Sequence, residues 1–134
     1  MIRPTRLAPL VTLALAALAA GCGGEVTVAE DQPGLRQGAE LFNERCSGCH
    51  TLDSANAYGS KPSRQLQGGE RTNGPNFNQR KVKRDDALFA IRNGGFSGAI
   101  MPANVVVGGS AEKVAEFLDA CSGKKNQRDP ACGD

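Results

Sequence analysis

The chain has 134 residues, among them 17 glycines, 7 prolines, 5 cysteines, 2 methionines, a single histidine, a single tyrosine and no tryptophan. That length allows one domain, or one small domain behind a targeting segment. A lone histidine excludes polyhistidine metal centres, and aromatics at 4% are thin for a self-sufficient core; a small, loop-rich domain of this kind needs a staple, a metal or a cofactor.

Met1 to Arg6 is a short basic stretch, and Leu7 to Ala20 carries no charge. These 14 residues fall short of the roughly 20 that span a membrane. With basic residues before and small residues after, they suit a secretory signal over residues 1–21. An uncleaved N-terminal anchor helix is the alternative. Leu18-Ala19-Ala20-Gly21-Cys22 resembles a bacterial lipoprotein box, which would make Cys22 the lipidated first residue. Ala19 stands where leucine is usual, and Ala17-Leu18-Ala19 also fits an ordinary signal-peptidase site, which would release a soluble form. Stable anchoring takes more than one acyl chain, a condition a lipoprotein meets. The expected location is outside the cytoplasm: the outer face of the cytoplasmic membrane, or the periplasm.

Loss of residues 1–21 removes Arg3 and Arg6 from the 16 basic residues and leaves 14 against 14 acidic ones. Nucleic-acid binding thereby loses its compositional support. Charge is also uneven: residues 22–53 sum to −4, 54–84 to +6 and 85–134 to −2. The stretch Arg80-Lys81-Val82-Lys83-Arg84 either steers an acidic partner or is a solvated helix entry.

Residues 22–34 read as a polar, flexible tether. The first helix is expected from about Leu35 to Cys46, with Leu35, Ala39, Phe42 and Cys46 on one face. Gly38 inside it costs about 1 kcal/mol relative to alanine and points to close approach of another element. Leu52 to Asn73 reads as a long loop. A short helix runs from Arg84 or Asp85 to Asn93, burying Leu88 and Ile91 and stopping at Gly94. Gly94 to Gly109 is irregular. Ser110 is expected to cap a last helix to about Cys121, with Val114, Phe117, Leu118 and Cys121 as its apolar stripe, Glu112 in its first turn and Gly123 at its end. No strand pattern is convincing, since Val105-Val106-Val107 is too short, and there are no repeats.

Cys46-Ser47-Gly48-Cys49-His50 carries the most chemistry. C-x-x-C-H is the attachment signature of a c-type haem: two thiols at this spacing reach the two vinyl groups of one porphyrin, and the next residue supplies an axial nitrogen. A thioredoxin-like pair would need a β-α-β context, and a structural zinc site a second matching pair. Cys121 and Cys132, with ten residues between them, are a poor match for that.

From Leu35 to Gly123 the chain resembles the small monohaem cytochromes c of class I. Gly38, Phe42, Cys46, Cys49 and His50 match the family's first helix and haem motif. Gly74-Pro75-Asn76-Phe77 matches its Gly-Pro segment, although the 24 residues between His50 and Pro75 exceed the spacing of compact members. Asp86 to Asn104 matches its third helix and methionine loop, with Met101 before Pro102. The resemblance implies an all-α fold of three to four helices around one covalent haem c, with long loops. It implies His50 and Met101 as axial ligands and Pro75 as carbonyl acceptor for the His50 ring N–H, and packing of Gly38 against an aromatic of the last helix, for which Phe117 is the candidate. Phe42, Phe77, Leu88, Ile91, Phe96 and Phe117 would pack around the haem or support it. Thioether ligation raises the reduction potential, and with both axial positions filled the iron serves outer-sphere electron transfer.

Cys121 and Cys132 remain. Export makes a disulfide reasonable, tying residues 124–134 to the last helix; a buried Cys121 thiol is the alternative. The expected function is a single-electron carrier, not an enzyme, exchanging electrons with redox proteins such as a quinol-oxidising complex or a terminal oxidase. A fixed haem subunit of a larger complex is the second reading, and a peroxidase or gas sensor, which would need an open iron position, the third.

Overall fold

The computed structural model describes residues 25–60, 74–95 and 101–133. The expected leader, Cys22 and Phe96 lie outside the described residues.

Helix α1 spans Pro33–Cys46 and starts two residues before the apolar periodicity does. Proline explains the start: its φ is preset, and its missing N–H is one that a helix entry leaves unpaired anyway. Gly38, Ala39, Phe42 and Cys46 are its buried residues, and Leu35 packs against the same core, partly covered.

Within the stretch read as a loop, strand β1 (Thr51–Leu52) pairs antiparallel with β2 (Ala57–Tyr58). A 3-10 turn over Asp53–Ala55 joins them, closed by Asn56 at φ 51°. The expectation of no strands is corrected for these residues, because a two-residue strand is too short to show alternation. Leu52, Ala55 and Ala57 are buried. The Asn43 side-chain amide donates to the carbonyls of Ala55 (2.8 Å) and Asn56 (2.9 Å), fixing the turn to α1.

Helix α2 spans Arg84–Asn93 and buries Ala87, Leu88 and Ile91. Asp85 and Asp86 in its first turn and Arg92 in its last complement the helix dipole. Helix α3 spans Gly108–Cys121. Ser110 is not its cap: the helix begins at Gly108, after an extended Val107, with no side-chain cap bond. Gly108 makes the earlier start, because its φ of 58° is a left-handed conformation that glycine takes without steric cost.

Helix α3 packs against both α1 and α2. Its buried stripe, Ala111, Val114, Ala115, Phe117, Leu118 and Cys121, is correspondingly wide. Arg84 and Arg92 of α2 both pair with Glu112 of α3; these pairs are half-exposed and contribute at most about 1 kcal/mol each. Phe42 lies edge-on to Phe117 (centroids 5.9 Å apart) and to Phe77 (6.0 Å).

The N- and C-terminal segments hold each other. Cys121 and Cys132 form a disulfide with Cα atoms 5.5 Å apart. It fixes a 3-10 turn, Pro130–Cys132, whose carbonyls accept from Ala29 N (Ala131 O, 2.8 Å) and Thr27 Oγ1 (Cys132 O, 2.9 Å). Val26 and Val28 in the N-terminal segment are buried. Residues 25–32 are therefore not the free part of a tether, and that expectation is corrected for them. Their two valines bury apolar area worth about 1.5–3 kcal/mol each, which polar composition around them conceals.

Candidate haem site

The last turn of α1 sets the site. The Cys46 carbonyl accepts from Cys49 N (3.1 Å) and His50 N (3.0 Å), so the chain bends back at once. Neither motif cysteine is in a disulfide; Cys46 is buried and Cys49 exposed. Burial, with a smaller contribution from neighbouring Cys49, pushes the Cys46 thiol up to about 12, so it is neutral.

His50 is 9% exposed, and its ring is held on several sides. Phe77 stacks on it, with centroids 4.9 Å apart and planes 16° apart. Phe42 lies tilted at 6.2 Å. Nδ1 lies 3.2 Å from the Pro75 carbonyl oxygen. A carbonyl only accepts, so Nδ1 carries the proton and Nε2 of the neutral ring keeps its lone pair. Burial lowers the His50 pKa below its usual 6.5, while the bond to Pro75 pulls the other way. The neutral form, the one that ligates a metal, is the form favoured by its surroundings.

The segment carrying Pro75 is pinned by backbone. Gly74 N donates to Cys49 O (2.8 Å) and Phe77 N to Thr51 O (2.8 Å). A Cβ on Gly74 would stand 2.6 Å from His50 Cε1 and Nδ1, so only glycine lets this segment lie against the ring. Gly59 makes a similar approach: its Cβ would stand 2.2 Å from Ser47 O. Ser60, next along, places its hydroxyl among the carbonyls of Cys49, Gly74 and Pro75. Sequence reasoning missed Gly59 and Ser60, which lie in a polar stretch without periodicity.

Cys46, Cys49, His50 and Pro75 are thus brought together, from the end of α1 and the 74–77 segment. Met101 comes from the loop after α2, half-buried and packed against the core. That loop is tied back by Asn104 N donating to Ile91 O (2.7 Å). Cys121 and Cys132 are joined in the disulfide and take no part. Of the expected supporting side chains, Phe42, Phe77, Leu88, Ile91 and Phe117 are buried.

Among the described residues no three or more His, Cys, Asp or Glu side chains form a cage for a bare metal ion. Two cysteine side chains and one oriented imidazole within five residues instead suit a covalently attached group whose metal the imidazole would ligate. The geometry defines a c-type cytochrome domain. The chain belongs to the family described as cytochrome c oxidase, cbb3-type, subunit III, whose profile matches residues 33–118. Among solved structures it is similar to the c-type cytochrome SorU from Sinorhizobium meliloti, at 31% identity and a TM-score of 0.54, over 69% of this chain and 95% of that one. None of the curated proteins matches it.

A cytochrome c domain implies covalently bound haem c, and the residues present fit it. Cys46 and Cys49 would hold it by thioethers, and His50 Nε2 would ligate its iron. Bound there, haem supplies one-electron oxidation and reduction. The protein's own part is to orient: Pro75 fixes the imidazole tautomer and ring angle and raises its basicity, Phe77 holds the ring's plane, and Phe42, itself packed on Phe117, covers another side of the ring. The family and the fold make this a haem-based electron carrier.

Proposed function

We propose that the protein is a monohaem class I cytochrome, His50/Met101-ligated, that carries single electrons in a respiratory chain outside the cytoplasm. The observation that carries this reading is the His50–Pro75 hydrogen bond beside Cys46 and Cys49, which leaves Nε2 as the available ligand. Met101 supports a second, thioether ligand: after loss of the leader it is the remaining methionine, and it sits in a loop against the core. Cys22 is the proposed lipidation site, holding the carrier at the outer face of the membrane, with residues 1–21 as the signal peptide. Its partners are redox proteins, such as a quinol-oxidising complex as donor and a terminal oxidase as acceptor.

The family description favours a second reading, in which the chain is a fixed haem subunit of an oxidase-type complex. Co-purification in mild detergent separates the two: a stable stoichiometric partner supports the subunit. A peroxidase or sensor is disfavoured, since the single histidine is already engaged with Pro75 and none remains for acid-base work. A reduced pyridine-haem spectrum tests the cofactor and its number per chain. The oxidised spectrum tests the ligands: a methionine-to-iron charge-transfer band supports the carrier, and high-spin features without it sink that reading.

A further inference from the structure

The Pro75 carbonyl oxygen does not serve His50 alone. The Ser60 hydroxyl lies 3.2 Å from it, 2.9 Å from Gly74 O and 3.4 Å from Cys49 O. All three neighbours are acceptors, so the hydroxyl donates, and its single proton is divided among them. Backbone contacts hold it there: Gly59 N donates to His50 O (3.1 Å) and Ser60 N to Thr51 Oγ1 (3.0 Å). Two close backbone approaches, of Gly59 to Ser47–Cys49 and of Gly74 to Cys49 and His50, flank this serine.

We propose that Ser60 is a positioning residue that sets the strength of the His50–Pro75 hydrogen bond and, through it, the reduction potential. The inference rests on the reading of His50 as an axial ligand of covalent haem. A carbonyl oxygen that accepts two donors offers less electron density to each. The share taken by Ser60 weakens the pull of Pro75 on the Nδ1 proton of His50. A more weakly held proton means a less anionic, less basic imidazole, and ligand basicity set from the outer shell tunes a metal centre. Ser60 thereby favours the reduced state, and without its hydroxyl Pro75 binds the Nδ1 proton harder and the oxidised state gains.

Ser60→Ala in the haem-loaded protein is expected to shift the ferric-to-ferrous ratio at fixed potential two- to five-fold toward ferric. That corresponds to a potential lower by about 18–41 mV, at 59 mV per tenfold. The His50 Nδ1–H proton resonance of the reduced protein should move downfield, as for a stronger hydrogen bond. Ser60→Thr and Ser60→Val form an isosteric pair that differs in the hydroxyl alone, so the same shift should separate Val from Thr even if Ala folds poorly. A haem-loaded wild type with the same potential across these variants overturns the Ser60 assignment alone. So does a potential that moves while the Nδ1–H resonance stays fixed. A wild type without haem c overturns the functional reading and this inference together.

Discussion

Gly38 lies directly against Phe117: a Cβ built on Gly38 would stand 2.6 Å from Phe117 Cβ and 2.3 Å from the Lys113 carbonyl oxygen. This is where α1 crosses α3, and the missing side chain lets the two backbones meet. Gly38→Ala gains at most about 1 kcal/mol of helix propensity and meets an overpacking cost of about 1–3 kcal/mol. The haem-loaded variant should melt lower, by about 4–8 °C for each kcal/mol lost. Gly34, in the same helix, has nothing within 4 Å of its Cβ position, so Gly34→Ala should leave the melting temperature level or raise it. Equal effects at both positions would show that the crossing does not select glycine.

Gly74 carries the same argument into the site. A Cβ there meets His50 Cε1 and Nδ1 at 2.6 Å and Cys49 O at 2.7 Å, and backbone on one side and a stacked ring on the other leave little room to give. Gly74→Ala should cost about 1–3 kcal/mol and reduce the haem c recovered per chain, read from absorbance against protein concentration. Gly109→Ala, where nothing lies within 4 Å, is the control and should be recovered like wild type.

Removing the disulfide tests the clasp between residues 25–32 and the C-terminal turn. Replacing Cys121 and Cys132 by serine frees a short loop, worth about 2–3 kcal/mol in the loop-entropy account. Because Ala29 N bonds to Ala131 O next to the bridge, amide exchange at Ala29 should accelerate well before exchange in α1. Unchanged exchange at Ala29 would show that Val26 and Val28 hold the segment without help. Intact mass with and without reductant checks the bridge itself: two mass units are expected.

Met101→Ala should abolish the methionine-to-iron band of the oxidised protein and lower its potential, since thioether ligation favours ferrous iron. The side chain is half-buried, so the cost to folding should be smaller than for Phe42→Ala or Phe117→Ala, each about 3–5 kcal/mol in a core position. An oxidised spectrum identical to wild type would assign the second axial position elsewhere.

Much of this molecule is local and can be read along the chain. Cys46, Cys49 and His50 fall within one turn, so their spacing alone specifies the chemistry of attachment. The helices over Pro33–Cys46, Arg84–Asn93 and Gly108–Cys121 announce themselves by apolar spacing, and the cost of Gly38 inside the first already implies a partner. Helix starts are less legible: Pro33 moves the first by two residues and Gly108 the last by three, because entry depends on backbone conformation and not on the apolar stripe.

What only the tertiary structure decided lies between residues far apart in sequence. The stacking of Phe77 on His50, the burial of Val26 and Val28, the hairpin at Thr51–Tyr58 and the Ser60 hydroxyl on the Pro75 carbonyl have no periodicity to betray them. Each depends on single contacts closed across a loop, and a chain in which polar residues surround such contacts looks the same in sequence as one in which they face water. The sequence by itself therefore determined which atoms can hold a haem and where the helices lie. The folded chain decided how the His50 ring is oriented, and which of its neighbours share the carbonyl that orients it.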